Sequence, residues 1–208
     1  MSPKKIDKAA RERQILDAAA AVFARRGFRA ATMDEVAAAA GVAKGTLYLS
    51  YASKEDLFFA LFAAFADEAM AAPPALPAGT APDQVIGLLV EIGTRLDRDS
   101  LLVPLTLEFW SAAGVEATRA RFADRYAAML DAFRGALVGM LRAGQARGEV
   151  KDALPLEPIV SSLLATIDGL IVQAWVDRDL SIAETLRAAL PPLLDGIRPA
   201  GSAAPLPR

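Results

Sequence analysis

Apolar residues recur three and four positions apart along nearly the whole chain, and no segment alternates apolar and polar residues as a β-strand does. Ile15, Ala19, Val22 and Phe23 form one such stripe, and Gly27 is well placed to end the helix that carries it. This periodicity predicts an all-α protein of about nine helices. With 208 residues, of which 54% are hydrophobic, the chain can bury a sizeable core.

Capping sequences and prolines mark where the helices begin and end. The pairs Thr32–Glu35, Ser53–Asp56 and Ser181–Glu184 have capping-box spacing and predict the starts of the second, fourth and ninth helices. The other predicted helices cover about 9–26, 43–49, 83–98, 101–113, 116–146 and 156–177. We expect the four prolines within 71–82 to break the fourth helix. We expect Pro191 and Pro192 to kink or restart the ninth, which would change the usual dimer surface there.

The chain contains neither cysteine nor histidine. This excludes disulfides, thiolate nucleophiles, Ser-His-Asp triads and most zinc or haem sites. The sequence shows no Gly-rich phosphate loop or dinucleotide-binding fingerprint either. We therefore expect no metal, no cofactor and no enzymatic activity. No uncharged apolar stretch approaches the ~18 residues of a membrane span, and the N-terminus does not resemble a signal peptide, so we expect a cytoplasmic protein without a membrane segment.

Charge is distributed unevenly along the chain. Residues 1–54 contain ten Lys and Arg against five Asp and Glu, a net +5, whereas the other 154 residues carry thirteen against twenty, a net −7. A basic N-terminal part on an acidic body suggests a polyanionic partner for the N-terminal part alone. A charged tail that only aids solubility would give the same numbers.

Two short predicted helices joined by a turn at Gly41 have the layout of a helix-turn-helix motif, whose second helix enters the DNA major groove. In the segment GVAKGTLYLSYASKEDL (41–57), one side of the second helix carries Lys44, Thr46, Tyr48 and Ser50. These small and polar groups have little to bury but can donate to phosphates and base edges. Helical hairpins with a Gly turn are also common in ordinary cores, and spacing alone does not separate the two.

Residues 14–58, QILDAAAAVFARRGFRAATMDEVAAAAGVAKGTLYLSYASKEDLF, closely resemble the DNA-binding domain of the TetR (tetracycline-repressor) family of bacterial transcription regulators. The resemblance implies a three-helix DNA-binding domain at 9–52, with the motif itself at 32–51. It also implies a larger helical effector-binding and dimerisation domain at 53–198, followed by a tail at 199–208 that we expect to be disordered. The implied partners are a palindromic double-stranded DNA operator, a small-molecule effector and a second copy of the chain.

The resemblance also assigns roles to individual residues. Lys44 matches a base-reading position, and Gly45 lets the backbone come close to the groove. The full set of implied DNA contacts is Thr32, Lys44, Gly45, Thr46, Tyr48, Ser50 and Lys54. Ser50 stands where the family often has His or Tyr, and Tyr51 stands where Phe is usual. We expect Tyr51 to fill the same core position.

Residues for the effector and the dimer are predicted from the second half of the chain. The predicted effector-binding residues are Glu108, Phe109, Trp110, Tyr126, Met129, Phe133 and Trp175. Ordinary core packing would explain the same aromatic and Met residues. The eighth helix is apolar on nearly all sides, and the predicted dimer contacts on it are Leu163, Ile167, Leu170 and Ala174. Asp168 lies within that helix and needs a partner, across a subunit interface or from a ligand.

The sequence thus predicts a ligand-responsive DNA-binding regulator, acting as a repressor that a small lipophilic effector releases from a palindromic operator. Activation remains open. One alternative is a ligand-binding or scaffolding helical dimer that has lost sequence-specific DNA binding. A second is an enzyme with Glu108 or Asp168 as general base, which no His, Cys or cofactor motif supports.

Overall fold

The computed structural model describes residues 8–70, 78–113 and 116–199, and every regular element within them is an α-helix. The helices are α1 (Lys8–Arg26), α2 (Met33–Ala39), α3 (Lys44–Ser50), α4 (Lys54–Met70), α5 (Ala81–Arg98), α6 (Leu102–Ala113), α7 (Glu116–Ala146), α8 (Leu156–Val176) and α9 (Ile182–Asp195). The predicted all-α class is confirmed. The tail expected to be disordered lies outside the described residues except for Pro199.

The predicted helix signals in the first part of the chain are confirmed. The Thr32 hydroxyl accepts the Glu35 N–H at 3.2 Å, and the Glu35 carboxylate accepts the Thr32 N–H at 2.9 Å. This capping box starts α2. The Ser53 hydroxyl likewise accepts the Asp56 N–H at 3.0 Å at the start of α4. Gly27 follows α1 with a φ of +75°, a left-handed conformation that a residue with a Cβ rarely adopts.

Among the described residues, the first compact unit comprises 8–69 together with 104–113 and 116–127. Its core is a cluster of phenylalanine rings with centroids 4.5–5.9 Å apart. Phe58 and Phe62 of α4 contact both Phe109 of α6 and Phe122 of α7. This grouping differs from the predicted boundary after residue 52, because the aromatic side chains join α4, α6 and the start of α7 to the first three helices.

Among the described residues, the second unit comprises 70, 78–103 and 128–199, and in it α5 packs along α9. A Cβ on Gly93 of α5 would lie 3.0–3.1 Å from Leu186 and Ala183 of α9, so the two helices cross closely. The Asp97 carboxylate accepts the Ser181 O–H at 2.8 Å and the N–H groups of Ile182 and Ala183 at 2.9 Å. Asp97 therefore caps α9 together with Ser181, which accepts the Glu184 N–H at 3.1 Å.

The expected restart of the ninth helix at its two prolines is wrong. Pro191 and Pro192 lie inside α9, which continues to Asp195, and the side chains of Leu190 and Leu194 on either side of them are buried. Beyond the helix, Arg198 is only 7% exposed and donates to the Thr80 hydroxyl at 2.9 Å and the Asp83 carboxylate at 2.6 Å. These contacts attach the end of α9 to the start of α5.

By length and composition, α8 is the one described helix that is apolar enough to cross a membrane, with a mean hydropathy of 1.7. Asp168 lies near its centre. Its side chains at Leu163, Ile167 and Leu170 are buried within the chain's own fold, as in a core helix. The opposite side of α8 is exposed along most of its length.

Candidate nucleic-acid interface

Helices α2 and α3 and the turn between them are held by buried side chains and backbone hydrogen bonds. The Val42 N–H donates to Ala37 O at 3.0 Å, and Gly41 takes a φ of +63° in the turn. Val36 is buried on α2, and Leu47 on α3 is 0% exposed. A single inward side chain thus fixes the orientation of the short α3 helix, and its other sides remain available.

The outward side of α3 is open to solvent. Lys44, Gly45, Ser50 and Leu49 are exposed, and Leu49 reaches 91%. Tyr48 is 44% exposed, and Thr46 is half-buried. A Cβ placed on Gly45 would meet no atom within 4 Å, so a partner can approach the helix backbone closely there. The predicted reading residues therefore lie on one accessible surface.

Lys44 already has an anionic neighbour. Its Nζ lies 2.7 Å from Oδ1 and 2.9 Å from Oδ2 of Asp34 on α2, and the hydrogen bond to this carboxylate raises the pKa of Lys44. The same Nζ lies 5.9 Å from the centroid of the Tyr48 ring. Both members of the ion pair are exposed, so the ammonium group stays accessible to a second anion.

The other predicted DNA contacts are partly engaged within the protein. The Lys54 Nζ donates to the carbonyls of Arg29 at 3.1 Å and Ala31 at 2.9 Å, which uses two of its three N–H groups. It also lies 4.7 Å from the Phe28 ring centroid. The exposed Thr32 donates its hydroxyl to the Glu35 carboxylate, and Ser50 donates to Thr46 O at 3.3 Å. Lys54 thus supports the turn that leads into α2.

A cavity of about 460 Å³ opens between the first turns of α1 and the outer end of α3. Its lining includes two cations and one anion on α1 and the outer side chains of α3: Lys8, Arg11, Glu12, Thr46, Leu49 and Ser50. Tyr51 also lines it, is 7% exposed as expected for a core position, and has a buried hydroxyl without a partner among the described residues. Burial raises the pKa of Tyr51. Local sequence patterns do not indicate that Lys8 and Arg11 face α3, because only the tertiary fold brings them together.

Glu108 of α6 supports the turn after α1. Its carboxylate accepts the Phe28 N–H at 2.8 Å, and a Cβ on Gly27 would lie 3.2 Å from its Oε1. Eighty residues separate the two partners in sequence, so local patterns do not predict this contact. Glu108 was predicted to bind the effector, but its carboxylate is engaged inside the first unit.

The remaining predicted effector-binding residues are divided between the two units. Phe109 is buried in the phenylalanine cluster of the first unit. Trp110 meets Tyr126 edge to face at 6.4 Å, and its indole N–H is buried without a hydrogen-bond partner among the described residues. In the second unit, Met129 is buried and Phe133 half-buried, and Trp175 is exposed beneath the Arg178 guanidinium.

Three of the predicted dimer residues have little surface left for a partner. Leu163, Ile167 and Leu170 are buried within the chain, and Ala174 is half-buried. The exposed side of α8 carries other residues at helical spacing: Ser162, Ala165, Val172 and Val176. Helical periodicity does not distinguish these two sides, because both are mostly apolar or small.

Comparisons with known proteins agree with this geometry. Residues 15–61 match the family described as bacterial regulatory proteins, tetR family, and residues 88–199 match the family described as BetI-type transcriptional repressor, C-terminal. The second match alone covers more than half of the 208-residue chain.

Individual relatives cover most of the chain as well. The HTH-type transcriptional regulator BetI of Rhizobium meliloti is 31% identical over 78% of this chain and 77% of its own length. The fatty acid metabolism regulator protein of Bacillus subtilis is 26% identical over 88% of this chain and 94% of its own. The crystal structure of FadR from Bacillus subtilis in complex with stearoyl-CoA aligns with a TM-score of 0.70 and 25% identity, covering 89% and 99% of the two chains. This chain belongs to the TetR family of bacterial DNA-binding transcription regulators.

Proposed function

We propose that this protein is a cytoplasmic repressor that binds a palindromic operator as a homodimer and leaves it when a small lipophilic effector binds. The observation that carries the proposal is the outward face of α3, where Lys44, Gly45 and Tyr48 are accessible together and Leu47 fixes the helix from the opposite side. Residues 1–54, which include α3, carry a net charge of +5, and this charge favours approach to DNA.

In this proposal, Lys44 exchanges Asp34 for the acceptors of a guanine edge in the major groove. Gly45 allows the helix backbone to come near the bases. Tyr48 donates its hydroxyl to a phosphate, and Thr46 and Ser50 serve the neighbouring backbone. Thr32 and the remaining N–H of Lys54 contact the phosphates before and after α3.

We also assign the cavity between α1 and α3 to the DNA backbone. The α1 wall carries two cations, Lys8 and Arg11, against the single anion Glu12, and the α3 wall supplies the hydroxyl donors of Thr46 and Ser50. A phosphate placed there would be contacted from two helices at once. The logarithm of the binding constant falls linearly with the logarithm of the salt concentration, and each such phosphate contact makes this slope steeper by about 0.9.

The homodimer in this proposal uses the exposed side of α8, at Ser162, Ala165, Val172 and Val176, in place of the buried residues first predicted. These small and apolar side chains allow a second helix to approach closely and offer apolar area to bury. A two-fold dimer reads a palindrome with its two α3 helices about 34–36 Å apart, one turn of DNA.

The effector proposal rests on relatives and on one polar group. FadR from Bacillus subtilis binds stearoyl-CoA in its crystal structure, and a regulator of fatty acid metabolism is among the relatives. In this chain the indole N–H of Trp110 is buried beside Tyr126 and unpartnered among the described residues, so it can donate to a ligand. An effector that prefers the conformation unable to bind DNA would weaken operator binding about 5- to 150-fold.

The DNA part is tested by selecting binding sites from a random DNA pool and measuring affinity by mobility shift. We expect Lys44→Ala and Tyr48→Phe to weaken binding to the selected site, while Arg142→Ala, which removes an exposed cation from α7, leaves it unchanged. If both α3 variants bind as the wild type does, the assignment of the reading face is wrong. A failure to select any sequence would favour the alternative of a ligand-binding dimer without operator recognition.

The effector part is tested by tryptophan fluorescence with stearoyl-CoA as the probe. We expect the Trp175→Phe variant, in which Trp110 is the sole tryptophan, to keep the fluorescence response, and Trp110→Phe to lose it. Release of the selected DNA by the same probe completes the test. Unchanged fluorescence and unchanged DNA binding at saturating stearoyl-CoA would contradict an acyl-CoA effector.

A further inference from the structure

Leu49 occupies the most outward position of the reading helix. An α-helix turns 100° per residue, so Gly45 and Leu49, two positions before and after Leu47, each lie about 200° from it. Leu47 is 0% exposed and marks the inward direction. Leu49, at 91%, is the most exposed of the large hydrophobic residues of the described chain.

On the side of α3 opposite Leu47, Leu49 is the longest side chain. Gly45, one turn earlier, has no side chain, and the space above it is open. Lys44 and Tyr48 lie to one side, and Thr46 and Ser50 lie to the other. When Gly45 brings the backbone close to the groove, Leu49 therefore reaches the base edges between these polar groups.

A leucine has neither donor nor acceptor, so it cannot recognise the hydrogen-bonding pattern of a base pair. The apolar feature that the major groove offers is the C5-methyl group of thymine. We propose that Leu49 is a specificity-determining residue that contacts a thymine methyl in each half of the operator. This inference rests on the proposed DNA binding and adds to it a base preference that the polar residues do not supply.

Deoxyuridine tests this contact directly, because it keeps the base pairing and the O4 acceptor of thymidine and lacks only the methyl group. In the selected operator, each thymine is replaced in turn by deoxyuridine, symmetrically in both half-sites, and the dissociation constant is measured. At one position we expect the wild type to bind about fourfold more weakly per half-site, as for loss of one buried methyl. Replacement of thymines outside the selected operator by deoxyuridine serves as the DNA control.

The matching protein variant is Leu49→Ala, which shortens the side chain and keeps the helix. We expect this variant to bind the thymine and deoxyuridine forms of that position equally, while its response to every other base change in the operator stays as in the wild type. If no replacement weakens the wild type, or if Leu49→Ala keeps the same deoxyuridine penalty, the inference is wrong although DNA binding stands. If the wild type selects no operator at all, the proposed function itself fails.

Discussion

Lys44 is shared between an anion of its own chain and the DNA that we propose it reads. Both side chains of its ion pair with Asp34 are exposed, and such pairs contribute little to stability because water and salt screen them. Exchanging Asp34 for a base edge therefore costs little. The Asp34 carboxylate nevertheless remains close to the DNA surface, where it both competes for Lys44 and repels phosphates.

Replacing Asp34 with Asn should strengthen DNA binding. The substitution removes one negative charge near the reading helix and releases Lys44, so we expect an affinity about two- to fivefold higher at low salt, the value of one exposed ion pair. Asp131→Asn makes the same charge change on α7, where Asp131 pairs with Arg134, and should leave affinity unchanged. Weaker binding by Asp34→Asn would mean that the carboxylate holds Lys44 in its reading position or contacts a base itself.

Glu108 should contribute to stability through the turn after α1. The bond from the Phe28 N–H to its carboxylate is charge-assisted, and we expect Glu108→Ala to lower the free energy of unfolding by about 1.5–3 kcal/mol. Glu108→Gln keeps a neutral acceptor and should lose less. Urea unfolding followed by circular dichroism measures both variants. A Glu108→Ala variant of wild-type stability that no longer responds to the effector would return Glu108 to the effector site.

At this scale, sequence reasoning succeeded where partners are close in the chain. The Thr32–Glu35 capping box follows from spacing, and the burial of Tyr51 follows from the resemblance to the TetR DNA-binding domain. Lys54 meets carbonyls 23 and 25 residues away, and Glu108 meets an amide 80 residues away. Such distant partners depend on how the helices pack, which local patterns do not encode.

Among the helices, α8 shows most clearly what periodicity leaves open. Apolar residues occur on nearly all of its sides, so the sequence does not show which side faces the chain's own core. The structure buries Leu163, Ile167 and Leu170 and exposes Ala165, Val172 and Val176. The proposed dimer contact moves to the exposed side for this reason.

A charge on that side of α8 should dissociate the dimer. We expect Ala165→Glu to give a monomer by analytical ultracentrifugation, because two like charges would be buried at a two-fold contact. Ala132→Glu places the same residue at an exposed position of α7 and should remain dimeric. A dimeric Ala165→Glu variant would exclude this side of α8 as the interface.

Helix α9 shows how tertiary contacts override a local signal. Pro191 and Pro192 remove the N–H groups that would bond the carbonyls of Arg187 and Ala188, and both of those residues are exposed, so water can serve the carbonyls. The cap from Asp97 at one end and the buried leucines at the other hold the helix continuous through the interruption. Asp97 lies 84 residues before Ser181, so the sequence predicted this start from the Ser181–Glu184 spacing and not from Asp97.

The molecule as a whole has an unusual titration behaviour, because it contains no histidine. Its perturbed acids are stabilised as carboxylates. The Thr32 amide holds the pKa of Glu35 below its ordinary value of 4.5, and the hydrogen bond from Arg121 holds the pKa of Asp56 below 3.8. Burial raises the pKa of Asp83, but its bonds with Thr80 and Arg198 outweigh burial and lower it overall.

These shifts predict stability that is flat near neutral pH and falls in acid. Groups with lowered folded pKa values bind fewer protons folded than unfolded, so their stabilisation is complete above about pH 4.5 and is lost as pH falls below 4.5 and 3.8 toward the lowered values. We would measure melting temperatures from pH 3 to 8. They should be constant between about pH 5.5 and 8, because none of the side-chain types in this protein has an ordinary pKa in that range. A marked change between pH 6 and 7 would contradict this account.

The division of the chain into units was harder to predict than its helices. The resemblance to a DNA-binding domain implied a single domain boundary, after residue 52. The structure returns residues 104–127 to the first unit through aromatic contacts of α6 and α7 with α4. Local sequence patterns do not predict that a later segment of the chain packs back onto an earlier unit.

The contacts of Arg198 with Thr80, Asp83 and Asp195 determine how far this protein can be truncated from its C-terminal end. Removing the last ten residues after Arg198 keeps its guanidinium between Asp83 and Asp195. Removing Arg198 as well takes the cation away. The carboxylates of Asp83 and Asp195 then lose their shared partner, and a new terminal carboxylate is created near them. Stepwise deletion from the C-terminal end should therefore be tolerated up to this arginine and then cause an abrupt drop in yield of folded protein.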